Sequence, residues 1–133
     1  MKKQYLILLI GLLLTAFWLI WIISLRDKLN NKYLVTQGII TDCRWGGRGS
    51  SFYIAEFNFS INSKNYSSSY PLKCKEFGSD TLQKRLVGLH VPVVYNPEKP
   101  WINTIAIERE TFKQYDLPIP DSLIAIINFL DCK

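Results

Sequence analysis

Hydrophobic positions run through this chain in different rhythms, and each rhythm predicts a different element. From Tyr5 to Leu25 (YLILLIGLLLTAFWLIWIISL) there is no rhythm: no charge occurs, and only Gly11, Thr15 and Ser24 interrupt the apolar run. Roughly 21 residues at ~1.5 Å each cover ~30 Å of hydrocarbon. A helix is the only single segment that satisfies its own backbone in lipid, so the run is expected to be a transmembrane α-helix. Lys2 and Lys3 precede it, and Arg26 and Lys28 follow it. Tyr5, Trp18 and Trp21 lie near its ends, where amphipathic rings favour the headgroup level; together with the four charges they are the expected flanks of a membrane anchor. A cleaved secretory leader would begin with the same lysines, but it needs a shorter apolar core and a small-residue cleavage site, which WIISLRDK lacks.

Past the linker RDKLNNK the period drops to two. Val35, Ile39, Cys43 and Trp45 fall on one face with Thr41, and Asp42 and Arg44 on the other, which predicts a strand from Val35 to Trp45. GGRGSS suits positive φ and reads as a hairpin connection. Phe52 to Ile61 alternates most clearly: Tyr53, Ala55, Phe57, Phe59 and Ile61 on one face, with Glu56, Asn58 and Ser60 opposite, as in a strand with one buried and one wet side. NSKN supplies turn residues, and YSSSY returns as a third, more polar strand of a meander.

Between Phe77 and Gly88 the period lengthens. Asp80 is placed to cap a short helix, Gln83 stands three residues on as in a capping box, Leu82 and Leu86 share a face, and Gly88 fits just past the end. Leu89 to Tyr95 reads as a strand; Pro92 lacks an N–H, so this strand is an edge or Pro92 sits where no ladder bond is needed. Asn96-Pro97 has the chemistry of a type I turn, Pro100 pushes Lys99 toward extended geometry, and WINTIAI resumes as a strand. The prolines of HVPVVYNPEKPWINT therefore lock a corner and point to register rather than chemistry. In the tail, Leu123 to Leu130 is too short to span a bilayer and predicts a short helix with Asp121 at its start, apolar nearly all round; burial in the domain is the default expectation, with the bilayer or a partner as the alternative cover.

The chain thus divides into an N-terminal tail and transmembrane helix (1–25), a juxtamembrane linker (26–34) and an extramembrane β domain with an apolar C-terminal segment (35–133). The expected fold class is mainly β: the transmembrane α-helix followed by a small antiparallel β-sheet or barrel-like domain with one or two short helices.

Charge changes this picture little. The net charge of +5 over 133 residues is spread through Arg26 to Lys99, and no helix-turn-helix, zinc-finger or RNA-binding signature accompanies it, so no nucleic-acid partner is expected. The lipid bilayer is the expected partner, with Arg26, Lys28 and Lys32 each gaining about 1 kcal/mol beside anionic headgroups. Flanking charges are nearly balanced and do not orient the helix. A short Lys-Lys tail before a long apolar run resembles an uncleaved signal anchor, which would place the domain on the extracytoplasmic side.

GIITDCRW, FYIAEFNFSINSKNY and LVGLHVPVVYNPEKPWINT together resemble an uncharacterised family of small membrane-anchored bacterial β domains. Its marks are a G-x-V-type first strand, an aromatic second strand, an N-G-K-x-Y turn and a V-x-V-x-Y-(N/D)-P-x-x-P segment. Gly38, Asn62, Lys64, Tyr66, Gly88, Val91, Val93, Tyr95, Asn96, Pro97 and Pro100 occupy those positions, across roughly residues 36 to 104, and Ser63 departs where the turn commonly has Gly. The resemblance implies the architecture and the membrane location and no activity.

The chemistry-bearing residues are sparse. Cys43, Cys74, Cys132 and the single His90 lack the close Cys-x-x-Cys pairs that nucleate zinc sites. A disulfide between two of the cysteines fits an exported domain, though the sequence does not choose the pair. A Cys-His hydrolase would need a thiolate beside His90 and an orienting carboxylate such as Asp42 or Asp116, and no local signature marks Cys43 as a nucleophile. GGRGSS lacks the Gly-Lys-Ser/Thr of a phosphate loop. Arg44, Trp45 and Arg48 cluster about that hairpin tip and are the candidate contact for a protein partner, because Arg and Trp are enriched in binding hot spots. The expected function is non-enzymatic binding or scaffolding, with no cofactor and no evident small-molecule substrate. The alternatives are an immunity or accessory protein holding one specific partner and, second, a thiol-dependent enzyme.

Overall fold

The computed structural model describes residues 2–49, 52–73 and 77–131. Its first element is one helix, α1 (Lys2–Asn31), which covers the apolar run and continues through most of the expected linker. No Gly or Pro stands between Ser24 and Lys32 to stop it. By continuing, it carries Leu29 into a small buried cluster with Val94 and Tyr115. Among the described residues no helix is long and apolar enough to cross a membrane. Within α1 the described side chains are those of 10–24, Leu29 and Asn31; the stretch 10–24 covers ~22 Å, less than the ~30 Å of a hydrocarbon core.

The rest is a five-stranded antiparallel sheet. Its strands are β1 (Leu34–Trp45), β2 (Tyr53–Ile61), β3 (Lys64–Leu72), β4 (His90–Tyr95) and β5 (Asn103–Ile105), in the order β3-β2-β1-β4-β5. Three short helices pack with it: α2 (Ser79–Leu86), α3 (Arg109–Gln114) and α4 (Asp121–Leu130). One face of the sheet and the helices enclose the core. Phe57, Ile40, Leu72, Val91 and Val93 from the strands meet Leu82 and Leu86 of α2, Phe112 of α3, and Leu123 and Ile127 of α4.

Strand β2 buries the expected residues, Tyr53, Ala55, Phe57 and Phe59, on one face. Strand β1 differs from its expected pattern. Ile40 pairs with Phe57 and Asp42 with Glu56, so Thr41 is an extra residue, a β-bulge. The bulge lets Ile40 and Cys43, three apart, both face the core, and it puts Val35 on the exposed face opposite Cys43; Trp45 shares the face of Cys43 but is exposed at the end of the strand. A bulge changes the parity of everything beyond it.

The turns follow their residues. Asn62 and Ser63 have φ of 48° and 65° and join β2 to β3, so this two-residue loop is of the type I′ class, with a serine where glycine is usual. At the proline corner, Asn96 is buried, and its Oδ1 accepts from the backbone N–H of Glu98 (2.9 Å) and Lys99 (3.0 Å). Pro92 lies in an interior strand, not at a sheet edge. Its carbonyl accepts from Ala106 N–H (2.8 Å), while the reciprocal bond it cannot donate falls just past the last residue of β5. Its position needs no N–H.

Helix starts differ in detail from expectation. Gly78 and Pro120 occupy the N-cap positions of α2 and α4 without side-chain caps, and Asp80 and Asp121 stand in the first turns, where carboxylates still complement the helix dipole. Instead of closing a capping box, Gln83 donates through Nε2 to Asp42 Oδ1 at 2.7 Å. Helix α4 lies in the domain as expected, with Leu123, Ile127 and Leu130 buried at i, i+4 and i+7.

Candidate functional site

The sheet curls until its edge strands β3 and β5 approach one another without pairing. Glu108, between β5 and α3, bridges the gap: one carboxylate oxygen accepts from Tyr70 Oη (3.0 Å) and the other from the Lys73 backbone N–H (3.2 Å). Lys73 Nζ also lies 3.7 Å from the same carboxylate and pairs with Glu110. The hydrogen bond with Glu110 raises the Lys73 pKa above its ordinary value. Burial, with a smaller contribution from the Glu108 carboxylate, pushes the Tyr70 phenol up to about 12. Both groups are protonated at neutral pH.

Beside this bridge lies a cleft of about 450 Å³. One wall is α1, through Ile22 and Leu29; the floor and far wall are Tyr70, Asn103 and Thr111, with Lys73 and Glu110 at the rim. Asn103 donates through Nδ2 to the Pro100 carbonyl at 2.9 Å, which fixes the orientation of its amide. Its Oδ1 is buried and has no hydrogen-bond partner in the structure. An acceptor in that state costs about 1–3 kcal/mol unless a donor reaches it. The cleft holds donors, acceptors and an ion pair, with no histidine or cysteine among its lining residues. What its lining offers is hydrogen-bonding groups and charge. Among the described residues, no three His, Cys, Asp or Glu side chains are grouped to hold a metal.

The structure places the residues singled out from sequence as follows. Arg44 donates through Nε to Glu56 (2.9 Å), and Trp45 packs edge-on against Tyr53 with ring centroids 4.8 Å apart. Arg48 stands exposed in the hairpin loop between Gly47 and Gly49, both at positive φ. None of the three lines the cleft beside Glu108. Trp18 and Trp21 are exposed on α1, whereas the side chains of Lys2, Lys3, Tyr5, Arg26 and Lys28 lie outside the described residues, as do Cys74 and Cys132.

Cys43 is free and fully buried, and burial, reinforced by the neighbouring Asp42 carboxylate, pushes its thiol up to about 11. His90 is exposed and pairs with Ile39, four residues before Cys43 on β1, ~13 Å along the strand. Asp42 is engaged by Cys43 N–H (2.8 Å) and Gln83, and Asp116 occupies a left-handed turn after α3 with φ of 50°. The structure does not bring these groups together.

Sequence reasoning missed the cleft residues Tyr70, Lys73 and Asn103 and the bridging Glu108, together with helix α3. Glu108 meets residues 38 and 35 positions away, a closure that no local spacing announces. Trp101, 69% exposed on the proline corner, was legible only as part of a strand. No protein-family model, curated protein or solved structure matches the chain.

Proposed function

We propose that the chain is a single-pass, membrane-anchored β domain that acts by binding rather than by catalysis, with α1 in the bilayer and the domain outside the cytoplasm. The observation that carries this reading is the surface of α1. Leu12, Leu13, Leu14, Phe17, Trp18, Leu19, Ile20, Trp21 and Ile23 are each more than half exposed. Consecutive positions point to every side of a helix, so no single protein face would cover them; hydrocarbon covers them all.

Further support comes from the domain. The Lys32–Glu98 ion pair (3.2 Å) links the proline corner to the segment just past α1, and Trp101 on that corner is exposed, as an interfacial ring would be. The motif resemblance to small membrane-anchored bacterial β domains points the same way. A protonated, enclosed Cys43 and a solvent-facing His90 set apart from it favour binding over thiol chemistry.

The test is flotation with phospholipid vesicles after alkaline carbonate washing. The full chain floats, and a chain starting at Asn31 stays in the aqueous layer. Recovery of the intact full chain in the aqueous layer would overturn the reading. For sidedness, Arg48→Cys is labelled in intact cells by a membrane-impermeant maleimide; labelling only after cell lysis places the domain in the cytoplasm.

A further inference from the structure

The two edges of the sheet are treated differently. Strand β5 has 3 residues, too few to template much pairing. Strand β3 has 9, is paired only with β2 among the described residues, and keeps one register with it from Ile61↔Lys64 to Tyr53↔Leu72, without a bulge. From Asn65 to Tyr70 (NYSSSY) it carries no charge. Lysines, inward charges and bulges are the usual guards of an exposed edge, and this stretch has none of them.

Parity fixes which backbone groups face out. In an antiparallel pair, residues turn their N–H and C=O alternately toward the neighbouring strand and away from it. The Lys73 N–H points away from β2, to Glu108, so Pro71, Ser69, Ser67 and Asn65 face out as well. The two-residue turn agrees: its closing pair, Ile61↔Lys64, is hydrogen-bonded, which turns Asn65 outward. Pro71 has no N–H to offer, and Glu108 already holds the Lys73 donor. The open window therefore runs from Asn65 to Ser69, and its three outward residues are exposed. Ser67, at the centre, donates its hydroxyl back to Asn58 Oδ1 (2.7 Å), which leaves the edge to the backbone.

This window fits its own image. An antiparallel copy centred on Ser67 sets each Asn65 against the other Ser69 and Ser67 against Ser67, exchanging about six backbone hydrogen bonds. Pro71 then falls opposite Ser63, in the other copy's turn, where no ladder donor is needed. Turn meets proline at both ends at once. The facing side chains pair Asn with Ser and Ser with Ser, and no like charges stand directly opposite along β3.

We propose that two copies of the chain associate through β3, antiparallel about Ser67, into one continuous sheet. The inference goes beyond the membrane reading and stands or falls apart from it. Its test is disulfide cross-linking of the purified full chain in mild detergent, with Cys74 and Cys132 replaced by Ser. A hydrogen-bonded antiparallel pair holds its Cα atoms ~5.5 Å apart, inside the range a disulfide spans, so Ser67→Cys gives a linked dimer on mild oxidation. Asn65→Cys alone gives about ten-fold less, because its two images lie ~13 Å apart along the strands, whereas mixed Asn65→Cys and Ser69→Cys chains link to each other. Ser67→Lys, on the exposed face, sets two ammonium groups opposite one another and weakens the dimer about five-fold or more by light scattering, with its thermal transition kept. A wild-type chain that stays monomeric at high micromolar concentration overturns the proposal. So does a dimer that Ser67→Lys leaves unmoved, or one that Asn65→Cys links as readily as Ser67→Cys, since either places the contact elsewhere. A different polypeptide co-purifying in disulfide linkage to Ser67→Cys gives the edge to a foreign strand and overturns it as well.

Discussion

Helices α1 and α4 are made of the same materials and lead opposite lives. Both are rich in Leu and Ile, yet α4 buries Leu123, Ile127 and Leu130 in the domain core, while α1, among its described side chains, leaves most of the large ones exposed and sends Leu29 into a small cluster. The difference is length and spacing. Helix α4 has 10 residues, with its buried positions on one stripe, and fits under a sheet. Helix α1 has 30 residues and an apolar middle with no stripe, so a 100-residue domain has too little surface to cover it. Apolar composition alone does not say which solvent a helix needs.

Removing each helix breaks this comparison most directly. A chain ending before Asp121 loses its cooperative thermal transition in circular dichroism, because the three buried side chains of α4, at ~1.5–3 kcal/mol each, rival the 5–15 kcal/mol that stabilises a typical domain. A chain starting at Asn31 keeps a cooperative transition and is weakened only by the Leu29 contact, about 1.5–3 kcal/mol. Equal damage from the two deletions would mean that α1 is part of the core after all.

Within the core, Gly38→Ala tests how tightly β1 is clasped. A Cβ there would stand 2.6 Å from Val93 Cγ2 and 3.0 Å from the Asn58 carbonyl oxygen, and a backbone oxygen in a ladder cannot step aside. Chemical denaturation is expected to show a loss of about 1–3 kcal/mol. Alkali probes the same interior through Cys43. The folded chain keeps its thiol proton to about 11, against an ordinary 9.0, so the folded state binds the proton more tightly than the unfolded one. That contribution is complete below the unfolded value and is lost as the pH climbs through this window. Cys43→Ala flattens the decline in melting temperature over the same range; an unchanged slope would show that the thiol is not enclosed. The smallest effect lies at the wet rim, away from both helices. Ser63→Gly relieves a left-handed residue and raises stability by about 0.5–1 kcal/mol, measured by denaturation.

Much of the architecture was legible because one face of the sheet is wet. Strand β2 declares its buried face through Tyr53, Ala55, Phe57 and Phe59, and the Asn96-Pro97 corner declares itself through side-chain chemistry that acts within three residues. Strand β1 misleads because Thr41 is as good a strand residue as any other, and nothing in its chemistry marks it as the extra one. The cleft was illegible for a stronger reason. Tyr70, Lys73 and Asn103 acquire their roles only when Glu108 draws two distant sheet edges together, and each looks ordinary in its own segment.

Pro92 has one more consequence. Unfinished strand edges invite other chains to zip on by hydrogen bonding, the first step toward aggregation. Where β5 stops, β4 turns a proline toward the gap, its carbonyl already occupied by Ala106. An intruding strand would find no donor at Pro92, so no ladder can be extended through that position for want of a single hydrogen atom.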